Sequence, residues 1–263
     1  FYKATEYLND MKAFVVCKQP DEKDAARACK IVEEHFEVLH AWKDTLTKEN
    51  LANIDVVIGI GGDGTILSAS HYVTDMPLIG VNANPDTSEG ALSTATVDTL
   101  SEKLHAVEKN NYSFDNLERI QISINGKPTD MSALNEVYVG HDTAYRTSRY
   151  TLSIENSTKK EESQRSSGVL VVTGTGSTAW YKSAGGKPFS PQSKHLMLLV
   201  REPYGGRLFN PTLTHEKIEE HHTVRIIPKV PSIVVLDSIR EIHVKENDVV
   251  EIKIAKHPLK RIK

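Results

Sequence analysis

The hydrophobic period changes repeatedly over the first hundred residues. Lys12–Cys17 (K-A-F-V-V-C) is a short apolar run of strand character. Asp21–Phe36 carries Ala25, Ala26, Cys29, Ile31, Val32 and Phe36 at helical spacing, with Asp21 placed to cap the helix. The pattern then predicts a strand at Glu37–Trp42, a short helix at Thr47–Ile54 and a β-branched strand at Asp55–Ile60. After these come a helix from Thr65 to Tyr72, a strand at Pro77–Asn82, a loop over Asn84–Ser93 and an amphipathic helix at Val97–Lys109. Strands alternating with helices predict a parallel sheet with helices on its faces. From about Phe114 the period shortens to two. Arg119–Asn125 (R-I-Q-I-S-I-N) alternates and leads to a hairpin turn expected at Gly126-Lys127. Further strands are predicted at Ala133–Gly140, Arg149–Glu155, Val169–Thr173, His195–Val200, Thr223–Pro228, Ile233–Asp237, Glu241–Lys245 and Val249–Ile254, with a small-residue turn at Gly174–Gly186 opening a helix. The expected architecture is α/β + β: an N-terminal Rossmann-like α/β domain (residues 1–112) and a C-terminal β-rich domain of largely antiparallel sheet (residues 113–263).

Composition narrows the function classes. The 263 residues are 39% hydrophobic and 25% charged with a formal net charge of -3, so no global basic field points to nucleic acid. Lys256, Lys260, Arg261 and Lys263 form a short basic cluster that reads as a solvated tail. No apolar run reaches the roughly 20 residues of a membrane-spanning helix. Two cysteines, Cys17 and Cys29, do not make a disulfide framework, so a reducing, intracellular compartment is the expectation. The chain begins at Phe1 rather than Met, which leaves room for an upstream segment.

The chemistry concentrates in Asp55–Ser70 (D-V-V-I-G-I-G-G-D-G-T-I-L-S-A-S), where a buried strand meets a helix through a glycine turn. Such a turn offers backbone N–H groups and the positive end of a helix dipole to an anion, usually phosphate. Asp63 inside it is unusual, because a carboxylate repels a phosphate ligand. A phosphoryl-transfer site can use one, to take a proton from an attacking hydroxyl or to hold Mg²⁺. The plain alternative makes Asp63 the N-cap of a helix Gly64–Tyr72. The spacing also satisfies the dinucleotide pattern G-x-G-x-x-G, but it follows the third predicted strand rather than the first. Asn135-Glu136 falls within a predicted strand, so one polar side chain points inward or to a ligand. Thr173–Ala179 (T-G-T-G-S-T-A) is a second turn suited to phosphate or ribose. His215, His221 and His222, flanked by Glu216, Glu219 and Glu220, match no metal signature and read as a solvated polar helix.

With G-G-D-G-T at Gly61–Thr65, A-L-N-E-V at Ala133–Val137 and T-G-T-G-S-T-A-W at Thr173–Trp180, the chain resembles the NAD kinase family over nearly its whole length. S-E-G at Ser88–Gly90, S-S-G at Ser166–Gly168 and V-R-E-P at Val200–Pro203 resemble the mitochondrial-type branch. The resemblance implies transfer of the ATP γ-phosphoryl group to the 2′-hydroxyl of the adenosine ribose of NAD. Asp63 matches the family's general base, and Gly61, Gly62, Gly64 and Thr65 match the groups serving the phosphates and Mg²⁺, with no direct protein ligation of metal expected. Asn135, Glu136, Arg146, Ser167, Thr178, Ala179, Trp180 and Ser183 match NAD-binding positions. A homodimer or larger homo-oligomer is implied, with small molecules rather than nucleic acid or membrane as partners, in the mitochondrion or cytoplasm. Two departures stand out: Ser166-Ser167-Gly168 replaces the bacterial G-D-G, and Asp237-Ser238 stands where other members have Asp-Gly. The rival readings are a diacylglycerol-type lipid kinase and a non-catalytic NAD(P)-binding sensor. In the lipid kinases Asn-Glu follows the glycine motif directly, whereas here Ile66-Leu67-Ser68 follow it.

Overall fold

The computed structural model describes residues 11–17, 23–42, 51, 53–156, 161–207 and 210–263. The capping role read for Asp21, and most of the helix read at Thr47–Ile54, lie outside these residues. The chain divides into two units: residues 1–116 with Leu259–Lys263, and Leu117–Pro258.

The first unit is an α/β unit. Its elements are β1 (Lys12–Cys17), α1 (Lys23–His35), β2 (Glu37–Trp42), β3 (Val56–Gly61), α2 (Asp63–Ser70), β4 (Leu78–Asn82), β5 (Ala95–Thr96), α3 (Leu100–Glu108) and β6 (Phe114–Leu117). Strands β2, β1, β3 and β4 lie side by side and parallel, as the alternation of strand and helix requires. Both faces of β3 and β4 are buried, which is why their sequences read as unbroken apolar runs. Val56, Ile58 and Ile60 pack with Ala28 and Val32 of α1 and with Leu100, Leu104 and Val107 of α3. Helix α3 begins at Leu100, three residues later than its amphipathic pattern suggests, because Val97–Thr99 form a turn after β5. Beyond β4 the sheet is completed by Leu259–Ile262, from the far end of the chain, and then by β6. The basic C-terminus read as a solvated tail is therefore a strand. Leu259 and Ile262 are buried, and Arg261 and Lys263 each lie 3.1 Å from the Asp115 carboxylate.

The second unit is two antiparallel sheets packed face to face. It holds β7 (Ile120–Ile124), β8 (Lys127–Ala133), β9 (Glu136–Gly140), β10 (Ser148–Glu155), β11 (Glu162–Ser166), β12 (Gly168–Val172), α4 (Trp180–Ser183), β13 (Leu196–Arg201), β14 (His215–Ile218), β15 (Thr223–Pro228), β16 (Ser232–Leu236), β17 (Arg240–Val244) and β18 (Val250–Ile254). One sheet runs β11-β10-β15-β18-β7-β8 and the other β14-β13-β12-β9-β16-β17. Alternate residues of both sheets, among them Ile122, Leu152, Ile226, Val139, Val171 and Leu198, form one core. The outer face of the second sheet is covered by Tyr181 and Phe189, which pack on Leu170, Val172 and Leu199.

Three expectations need correcting. The first hairpin turns at Asn125-Gly126, both at positive φ, not at Gly126-Lys127; Lys127 already pairs with Ile124. Ala133–Gly140 is two strands separated by a bend at Leu134-Asn135. His215–Ile218 is an edge strand paired with β13, and its exposed alternate residues made it look like a polar helix.

Candidate active site

In the first unit, β3 ends at Gly61 with φ +150°, and a Cβ there would lie 2.7 Å from the Thr65 hydroxyl. The N-cap of α2 is Gly62, which has no side chain to cap the helix; the Thr65 N–H donates to the Gly62 carbonyl at 2.9 Å, and the amides of Asp63 and Gly64 lie at the anion-facing end of the helix without a side-chain cap. Asp63 occupies the first helical position and does not cap its own helix, which corrects the plain alternative. Its Oδ1 accepts from the Leu92 N–H at 2.8 Å and its Oδ2 from the Ala91 N–H at 3.0 Å. Asn82, at the end of β4, fastens the other side of the same loop. Its amide donates to the Ser88 carbonyl and its Oδ1 accepts from the Asn84 N–H, both at 3.1 Å. The loop 84–93 is thus laid against the glycine turn by two side chains. Each oxygen of Asp63 keeps lone-pair capacity for a further donor.

In the second unit, Asp237 is the organising side chain. Its Oδ2 accepts from the Leu134 N–H at 2.7 Å, and its Oδ1 from the N–H groups of Asn135 at 2.7 Å and Glu136 at 3.0 Å. The bend between β8 and β9 has no ladder partner for these amides, and the carboxylate supplies one. The turn 173–179 closes on the same bend. Thr173 donates its N–H to the Asn135 carbonyl at 2.9 Å and its hydroxyl to the Leu134 carbonyl at 2.6 Å. Gly176 approaches so closely that an added Cβ would lie 2.2 Å from the Asn135 carbonyl oxygen. Gly176→Ala is accordingly expected to cost about 1–3 kcal/mol of stability through backbone displacement, read as a lowered urea midpoint.

Glu136 is buried, and its Oε2 has no hydrogen-bond partner. Burial, then the neighbouring Asp237 charge, push its carboxyl from the usual 4.5 up to about 8, while the Ser238 hydroxyl pulls the other way. Asp237 and Ser238 are the central residues of a turn closed by the Ile239 N–H donating to the Leu236 carbonyl, with φ +54° and +56°. Left-handed backbone costs a non-glycine residue roughly 1–2 kcal/mol, so a glycine at 238 would be relaxed there.

The structure brings Asn135, Glu136, the turn 173–179 and Asp237 together. Thr178, Ala179 and Ser183 are exposed at and just beyond that turn. Trp180 stacks on Tyr138 at 5.3 Å, with the Arg201 guanidinium 5.2 Å from its ring centre. Ser167 presents its carbonyl to the Tyr138 hydroxyl at 2.7 Å. Arg146 stands exposed on the loop 141–147, its N–H donating to the Thr143 carbonyl of the same loop at 2.9 Å. Among the described residues no group of three or more His, Cys, Asp or Glu could hold a metal ion. Sequence reasoning missed the clamp made by Asp237 and noted the residue only for the serine beside it.

Two family models match the chain: ATP-NAD kinase N-terminal domain over residues 2–112 and ATP-NAD kinase C-terminal domain over residues 134–263. The chain belongs to the ATP-NAD kinase family. An NAD kinase of Clostridium tetani is 30% identical over 88% of this chain and 81% of its own length. A probable NADH kinase of Oryza sativa subsp. japonica is 30% identical over 66% of this chain and 60% of its own. Against that rice protein and three further curated family members, the chain spans between 47% and 60% of their length. The crystal structure of an NAD kinase from Archaeoglobus fulgidus in complex with ATP superposes with a TM-score of 0.76 at 25% identity, covering 96% of this chain and 94% of that one. Yeast NADH kinase complexed with NADH shares the fold at a TM-score of 0.78 and 14% identity, covering 97% and 84%. The fold is that of this kinase family: an α/β unit followed by antiparallel β-rich sheets.

Proposed function

We propose that the protein is an ATP-dependent NAD kinase that transfers the γ-phosphoryl group of ATP to the 2′-hydroxyl of the adenosine ribose of NAD. The observation that carries this is Asp63: a carboxylate at the mouth of a strand–glycine–helix turn, oriented by two loop amides and not used as a cap. In the proposal Gly61, Gly62, Gly64 and Thr65 cradle the phosphates of ATP. Asp63 takes the proton from the attacking hydroxyl. Asn135 and Glu136 bind ribose hydroxyls, and Thr178, Ala179, Trp180, Ser183, Ser167 and Arg146 line the acceptor nucleotide. Phosphoryl transfer needs positioning and charge neutralisation more than covalent chemistry, which suits a site of loop amides and one base. In the same proposal Mg²⁺ would accompany the triphosphate and neutralise its charge, without a direct protein ligand. Ser88–Gly90, Ser166–Gly168 and Val200–Pro203 support placement in the mitochondrial-type branch, and a homodimer or larger assembly is part of the same proposal.

The relatives named for NADH make the reduced nucleotide the competing acceptor. The test supplies Mg²⁺ and ATP with NAD, NADH or diacylglycerol and measures the phosphorylated product of each. Formation of NADP or NADPH, with none from the lipid, is the expected result. Lipid phosphorylation, or nucleotide binding without turnover, would select one of the rivals.

A further inference from the structure

The peptide group between Ala91 and Leu92 is gripped at both ends. Its N–H, that of Leu92, donates to Oδ1 of Asp63 at 2.8 Å. Its carbonyl, that of Ala91, accepts from Nη1 of Arg261 at 3.2 Å. A trans peptide is planar, with its N–H and C=O pointing opposite ways, so whatever fixes the carbonyl also aims the N–H. Arg261 comes from the C-terminal strand Leu259–Ile262, on the far side of β4 from β3. Its other arm is anchored in turn, Nη2 donating to Oδ2 of Asp115 at 3.1 Å, and both side chains of this pair are largely buried.

Charge balance does not account for the arginine. Asp115 already has the Lys263 ammonium 3.1 Å from its other oxygen. Lys103 of α3 is a further cation nearby: burial, then the Arg261 charge, push its ammonium down from the ordinary lysine value, while Glu102 pulls the other way. Another cation in this corner adds repulsion. What Arg261 supplies beyond its charge is a rigid fork, one arm on a carboxylate and the other on a backbone carbonyl.

We propose that Arg261 is a positioning residue for the reaction: by holding the Ala91 carbonyl it aims the Leu92 N–H at Asp63 and so fixes the direction in which that carboxylate faces the acceptor hydroxyl. This rests on the reading of the chain as an NAD kinase with Asp63 as its base. The relay runs Asp115, Arg261, the 91–92 peptide, Asp63, and each link is a hydrogen bond of 2.8–3.2 Å. A cation on the carbonyl also polarises the peptide and strengthens its N–H as a donor. Arg261 acts on the chemical step alone, through the orientation of the base.

Arg261→Met keeps most of the side chain's apolar stem, and Lys263 remains beside Asp115, so no lone buried charge is left behind. Its kcat with ATP and NAD is expected to fall roughly 10–10²-fold, with KM for NAD nearly unchanged. Arg261→Lys can reach one partner of the fork but not both, and is expected to lie between methionine and wild type. Hydrogen exchange at Leu92 should quicken in the same order. The deciding measurement is a double-mutant cycle with Asp63→Asn. Once the carboxylate is gone there is nothing left to aim, so Arg261→Met should cost less than about twofold in kcat in that background. A role in the fold alone would lower kcat by the same factor in both backgrounds. That outcome, or a kcat unmoved by Arg261→Met, would overturn the proposal. Urea denaturation checks that the variants are folded, and Arg261→Lys carries the same cycle if methionine is not tolerated. A wild type that makes no NADP or NADPH would overturn the kinase reading, and the role of Arg261 with it, whereas equal losses in an active enzyme remove only Arg261.

Discussion

Asp63→Asn is expected to lower turnover of NAD by ATP roughly 10²–10⁴-fold, with the dissociation constant for NAD nearly unchanged. Asparagine is isosteric but cannot take a proton from the ribose hydroxyl, so the loss belongs to the chemical step. The substitution also touches structure, because Asp63 accepts from the amides of Ala91 and Leu92. An asparagine oxygen can serve one of them, while its NH₂ group faces the other, donor against donor. Hydrogen exchange at residues 91 and 92 reports that disturbance separately from catalysis. If turnover survives in the variant, Asp63 is not the base, however well it holds the loop.

Asp237→Ala should have the largest effect on stability. It strips the acceptor from three amides at the bend, two of them in buried residues. Each unsatisfied group costs about 1–3 kcal/mol, so a loss of roughly 3 kcal/mol or more is expected out of a total of about 5–15 kcal/mol. Urea denaturation measures it. Asp237→Asn keeps an oxygen for Asn135 and Glu136 and should lie between alanine and wild type. It also removes the charge facing Glu136, so the carboxyl there is expected to titrate lower. A stability unchanged by Asp237→Ala would mean the bend finds other partners for its amides.

The glycine turn, the strands around Lys12–Cys17, Glu37–Trp42, Asp55–Ile60 and Pro77–Asn82, the three long helices of the first unit and most of the later strands were legible because each is a local pattern. Val56–Gly61 announces a doubly buried strand, and the alternation of Ile120–Ile124 announces a sheet with one inward face. What Asp63 does was not legible, since capping one's own helix and gripping a loop 28 residues away require the same residue at the same place. The bend at Leu134-Asn135 hid inside a run that reads as one continuous strand. Its cause, Asp237, lies 102 residues from Asn135, in a turn whose sequence suggests only a turn. The edge strand His215–Ile218 lacked a signal for a related reason: with one neighbour and little burial, it carries too few apolar positions to set a period of two.

The last strand, β19 (Leu259–Ile262), sits beside β4 in parallel register, with Arg261 opposite Leu78. Everything in residues 117–258 must therefore leave the ribosome before the first-made sheet can be finished. Until then the part of β4 before Val81, which β5 does not pair, keeps an open edge that a neighbouring nascent chain could join. The N-terminal unit is begun first and completed last, which makes synthesis rate and chaperone cover a matter for this stretch above all others.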